Sequence, residues 1–205
     1  MTSEQQSARE DLAFLRALAE GDGRPERNFG KGYFAAGLIY GVQVLLQWAE
    51  YADVISLPGL GSLAVVTVPT ALFITYAIWI NRSAGASVGA NRTLNAVFMS
   101  AGLTNLVILT IVATVAISLE AHFLWMIYGA VVYAFQGAAW FVAFRLLRRA
   151  WMLAVALGWF ASAVAAGVAI GALNIHAFLA VTVFDIFVLM ALPGAIIVRA
   201  ANRAT

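Results

Sequence analysis

The 205 residues include no cysteine. Disulfides, thiolate metal sites, iron–sulfur clusters and cysteine nucleophiles are therefore excluded. Charge is almost as scarce. Charged residues make up 11% of the chain and hydrophobic ones 63%, with a mean hydropathy of +0.89. Ordinary soluble domains carry about 25% charged residues, so this composition excludes a soluble globular domain, a disordered chain and a nucleic-acid binder. A net charge of +2 is too small to call for a polyanionic partner. Catalytic signatures are missing too. There is no His-Glu-x-x-His, no Walker lysine loop and no Gly-x-Ser-x-Gly, and no carboxylates are paired at an acid–base spacing. An enzyme is the least expected class, and no cofactor is expected.

Long apolar runs fill the space instead. Six lie near 33–53, 62–80, 94–118, 121–144, 151–172 and 176–198. Each is long enough as a helix to cross the roughly 30 Å of bilayer hydrocarbon. The predicted fold class is all-α: a polytopic integral membrane protein built as a six-transmembrane-helix bundle. Three parts are expected: 1–31 as a cytoplasmic amphipathic helix and loop, 32–198 as the transmembrane domain, and 199–205 as a cytoplasmic tail. Within the first part, residues 4–20 read as a short helix. Ser7 and Glu10 have capping-box spacing, Leu12, Leu15 and Leu18 form a stripe, and Gly21 is a natural stop. Its expected place is the inner membrane face or the underside of the bundle. Residues 21–30 read as a loop. The polar first 31 residues predict no cleavable signal sequence, so the first span is expected to act as the insertion signal.

Charge placement predicts the orientation. Arg9, Arg16, Arg24, Arg27 and Lys31 precede the first span, and Arg82 and Arg92 lie between spans two and three. Arg145, Arg148 and Arg149 lie between spans four and five, and Arg199 and Arg203 follow span six. All twelve basic residues thus fall on one side, while the opposite loops carry Glu50, Asp53 and Glu120. The positive-inside rule then puts both termini in the cytoplasm. Trp48 and Trp125 near one face, and Trp79 and Trp151 near the other, fit an interfacial belt; Trp159 lies deeper, as a packing residue. Eleven Arg against one Lys, with abundant Ala and Gly, suggest a GC-rich bacterial genome and hence a bacterial inner membrane.

One stretch carries a resemblance. Asp11-Leu-Ala-Phe-Leu-Arg-Ala-Leu-Ala-Glu20, followed by a Gly-rich loop and span one, resembles the opening of uncharacterised small bacterial six-helix membrane proteins. The resemblance covers about the first fifth of the chain and implies no activity and no site residue.

Asp185 is the acidic residue expected near the bilayer midplane. A charge there costs about 2.5–3.5 kcal/mol on the mildest scale, and no Lys or Arg lies at matching depth to pair with it. Asp185 must then be protonated, face water in a cavity, or bind a proton or cation in a cycle. Gln43 in span one and Asn105 in span three are expected at similar depth, with Gln47 one turn above Gln43 and Glu50 continuing that face. Thr104 and Thr70 are further candidates. Together these residues read either as a transport path or as an inert polar clasp. Gln136 is expected to join helices.

Small residues mark close helix contacts. Span five carries Gly158, Ser162 and Ala166, with Ala163, Gly167 and Gly171; span one carries Gly37 and Gly41. They predict either a homo-oligomer through span five or packing within one bundle. Pro69 and Pro193-Gly194 are expected to bend their helices. His122 and His176, near Glu50, Asp53 and Glu120, are weak metal-ligand candidates without a recognisable spacing. The Arg145–Arg149 cluster reads as a topology signal that can also meet anionic headgroups. A short echo, Val115-Ala116-Ile117 before His122 and Val168-Ala169-Ile170 before His176, reads as coincidence in low-complexity sequence. Beyond the lipid bilayer, the expected partner is a second copy or another membrane protein. Two functions stand nearly level: a small transporter or channel around Asp185, slightly ahead because of that acid, and a non-catalytic membrane subunit, sensor or assembly factor.

Overall fold

The structure is a computed structural model describing residues 24–82, 90–121 and 123–203, with the side chains of 24–26, 81 and 90–95 left aside. Among the described residues 91% are helical and none forms a strand. The helices are α1 (Arg24–Tyr51), α2 (Gly59–Arg82), α3 (Ala90–Ser118), α4 (Phe123–Leu147), α5 (Ala150–Gly171), α6 (Ile175–Phe184) and α7 (Leu192–Arg203). A π-helical segment, Asp185–Ala191, joins α6 to α7. These three pieces form one sixth span, so the described residues include six helices long and apolar enough to cross a membrane.

Four of the six build the core. The sixth span runs antiparallel to α1, and their backbones nearly touch. A Cβ added at Gly37 would lie 2.5 Å from the Ala191 nitrogen, and one at Gly194 would meet the Phe34 backbone. Gly30 faces Ile197 and Gly41 faces the Phe187 ring, so the register stays constant along the pair. On its other side the sixth span meets α5, where Gly158 faces Leu189. α4 and α6 run parallel, with Gly129 against Phe178 and Tyr133 bonded to Thr182. The buried hydrophobic cluster, including Tyr33, Tyr133, Trp140, Met152, Trp159 and Leu189, comes only from these four elements.

The other two helices are peripheral. α2 leans on α1, and α3 leans on α4 with a marginal touch on α1. Of the hydrophobic windows, none of α3 and 6% of α2 is buried, against 28% for α4 and for α5 and 39% for the sixth span.

Three turns on the acidic side end their helices alike. Asp53, Glu120 and Leu173 take left-handed φ of 56°, 51° and 51°. In each case the next amide reaches back five residues: Val54 to Ala49, Ala121 to Ala116 and Asn174 to Ala169. This is the bonding of a Schellman cap, which glycine favours; here non-glycine residues bear it. Asn174 then caps α6 by accepting from the Ala177 amide at 2.9 Å.

Two expected boundaries move. The loop expected over 21–30 is helical from Arg24 onward. Gly30, read as a loop residue, instead lets α1 approach Ile197, where a Cβ would lie 2.8 Å from a methyl carbon. Likewise Arg199–Arg203 continue α7 rather than forming a separate tail. Just before Pro193, where a bend is expected, the span takes π-helical geometry. There the Leu192 amide bonds Phe187, five residues back. The expected helix over 4–20 lies outside the described residues.

A buried polar layer around Asp185

Asp185 opens the π segment and is fully buried, at 0% exposure. Ser162 of α5 donates its hydroxyl to Asp185 Oδ1 at 2.6 Å. Asp185 Oδ2 is buried and has no hydrogen-bond partner. Ser162 reaches this position because the α5 contact keeps register, with Gly158 against Leu189 and Ser162 against Asp185. A residue expected only to pack is thus, among the described residues, the group that holds the acid.

One turn before Asp185, Thr182 is also buried. It shares a short hydrogen bond with the Tyr133 hydroxyl and donates to the Phe178 carbonyl at 2.8 Å. Tyr133 in turn packs on the Trp159 ring at 5.6 Å. Towards the basic end, Trp140 Nε1 donates to the Tyr33 hydroxyl at 2.7 Å. Tyr33 donates to Gln136 Oε1 at 3.1 Å, joining α1 to α4. Tyr133, Gln136 and Trp140 share one face of α4 through their three- and four-residue spacing. The core therefore holds a ladder of polar groups, Thr182–Tyr133, Asp185–Ser162 and Gln136–Tyr33–Trp140, inside an otherwise apolar cluster.

The layer expected from Asp185, Gln43 and Asn105 is not assembled as such. Gln43 shares the depth of Asp185, because the register of α1 against the sixth span places the two opposite each other. It does not share the face. Gly41 looks at Phe187, and two residues further round an α-helix is a turn of about 200°. Gln43 Oε1 is buried elsewhere without a partner. Asn105 is engaged on α4, where it accepts from the Tyr128 hydroxyl at 2.9 Å. That contact lies more than a turn nearer the acidic end than the Tyr133–Thr182 bond. Gln47 is half-buried, and Glu50 accepts from Ser62 at 2.7 Å, joining α1 to α2. Thr70 and Thr104 are exposed on the outer helices.

The small-residue stripe of α5 divides. Gly158, Ser162 and Ala166 face the core. A Cβ at Gly167 or Gly171 meets nothing within 4 Å. His176 is exposed at the start of α6, and His122 lies outside the described residues. Among the described residues no three His, Asp or Glu gather into a metal site.

The sequence alone does not point to Tyr33, Tyr133, Trp140 and Thr182, because such side chains within an apolar run read as packing until their polar heads are given partners. Their signal is the spacing of Tyr133, Gln136 and Trp140, three polar-headed side chains on one face of a span. No family model, no curated protein and no solved structure matches the chain.

Proposed function

We propose that the protein is a small bacterial inner-membrane transporter, with both termini cytoplasmic, in which Asp185 is an occluded binding group for a proton or another small cation. One observation carries this reading. A carboxyl group with no exposure is held by a single neutral hydroxyl, and its other oxygen is unsatisfied. Ionisable residues inside membrane helices mark functional sites by default. The π segment that starts at Asp185 adds weight, because such segments occur often at functional sites. It also suggests a motion. Rewinding the segment to α-helix would turn Asp185 relative to α7 by about 100°, one residue's worth of helical rotation. An open channel fits poorly with complete burial, so access requires a conformational change. The test is proton uptake by sealed proteoliposomes after an acid pulse, read by an internal pH dye. Wild type is expected to acidify the lumen faster than empty vesicles, and Asp185→Asn to abolish the difference. Equal rates for wild type and Asp185→Asn would refute a proton site.

The second reading is a membrane subunit acting through helix contacts. The exposed apolar faces of α2 and α3 favour it. It predicts that an Asp185→Asn protein keeps its partner and its biological effect, whereas polar substitutions on α3 lose both.

A further inference from the structure

A groove opens on the side of the bundle at its basic end, and nothing in the polar layer uses it. Lys31, Phe34 and Leu38 of α1 line one wall, Val198 and Arg199 of α7 the other, and Tyr76 of α2 closes it. The two cations come from distant parts of the chain and arrive at one level through the α1–sixth-span register, which sets Gly30 against Ile197. Among the described residues no acidic side chain lines the groove. Arg27 lies one turn before Lys31 on the same face of α1, and its Nε is buried with no hydrogen-bond partner. Below the cations, Phe34 and Leu38 continue the groove for about 10 Å at 1.5 Å per residue, enough to seat the upper part of an acyl chain.

We propose that this groove binds an anionic phospholipid, its phosphate between Lys31 and Arg199 and one acyl chain along Phe34 and Leu38. Charge complementarity selects the headgroup. The groove opens sideways on spans long enough to cross a membrane, which selects a lipid over a soluble anion. Juxtamembrane basic residues each strengthen binding to anionic lipid by about fivefold, so two together give roughly 25-fold.

The test uses full-length protein in a neutral detergent. Native mass spectrometry measures binding of phosphatidylglycerol and of phosphatidylcholine with identical chains. The expected result is a preference of about 25-fold for the anionic lipid. The pair Lys31→Gln with Arg199→Gln should lose it, while Arg145→Gln with Arg148→Gln should keep it. Equal binding of the two lipids by wild type overturns the proposal, as does a preference that survives the Lys31 and Arg199 changes. Stabilisation by inorganic phosphate alone, as strong as by the lipid, also overturns it in favour of a soluble-anion site. If the double variant does not fold, Leu38→Trp, which blocks the apolar floor, should still cut lipid retention at unchanged charge; retention at the wild-type level counts against the proposal.

Discussion

The core helices and the two outer helices share a composition but not a way of packing. α1, α4, α5 and the sixth span meet through glycine and alanine contacts and enclose a polar ladder. α2 and α3 are at least as hydrophobic as α1, yet almost nothing on them is buried. Their threonines bond inward to their own helix, as Thr67, Thr75, Thr110 and Thr114 do to carbonyls four residues back. Hydropathy alone therefore does not decide which membrane helix enters a core. Lipid is as apolar as leucine, so association depends on close approach and on polar bonds.

Paired substitutions test this contrast, and the largest effect is expected at the backbone contact. Gly37→Leu drives a side chain into the Ala191 backbone and should prevent recovery of folded protein, because overpacking costs about 1–3 kcal/mol even where side chains can yield. Gly102→Leu on α3 meets nothing within 4 Å and should behave as wild type. Yield and elution profile in detergent check both. Equal damage from the two would erase the distinction between core and outer helices.

Next in size is the polar ladder. Ser162→Ala leaves both oxygens of Asp185 unpaired and should destabilise by about 1–3 kcal/mol, the cost of an orphaned buried polar group. Tyr33→Phe strands Trp140 Nε1 and Gln136 Oε1 together and should cost a similar amount. Tyr128→Phe, on the part-buried α3–α4 contact, should cost about 1 kcal/mol or less. Reversible unfolding in mixed micelles orders the three.

How far the sequence was legible follows the same line. Six apolar runs and their approximate limits were readable because length and hydropathy determine them. The π segment was not, because an apolar run carries no signal for one extra residue within a helical turn. Asp185 stood out as an isolated acid, but its partner did not: Ser162 looks like any small packing residue until the α5 register is known. Gln43 and Asn105 matched Asp185 in expected depth only, and depth says nothing of helix rotation or of which helices touch. Assigning every basic residue to one side depended on spacing along the chain, and Lys31 and Arg199 then meet at one groove.

The smallest effect is expected at the turns. Leu173→Gly relieves a left-handed residue in the hairpin between α5 and the sixth span. It should stabilise by up to about 1 kcal/mol, since an L-residue in that conformation costs roughly 1–2 kcal/mol. Glu120→Gly, in the α3–α4 hairpin, should give the same gain. A clear difference between them would mean that the outer hairpin folds separately from the core.

The most direct test of the occluded-site account exploits the absence of cysteine. With Asp185→Cys as the only thiol, sealed vesicles of each orientation are treated with a membrane-impermeant thiol reagent, and Ser56→Cys in an exposed turn serves as the positive control. The account predicts labelling at residue 185 from at least one side, slower than at residue 56, because water reaches the site only during conformational opening. No labelling from either side, in folded protein whose Ser56→Cys control reacts fully, would contradict it and leave Asp185 as a buried structural acid in a subunit-like bundle.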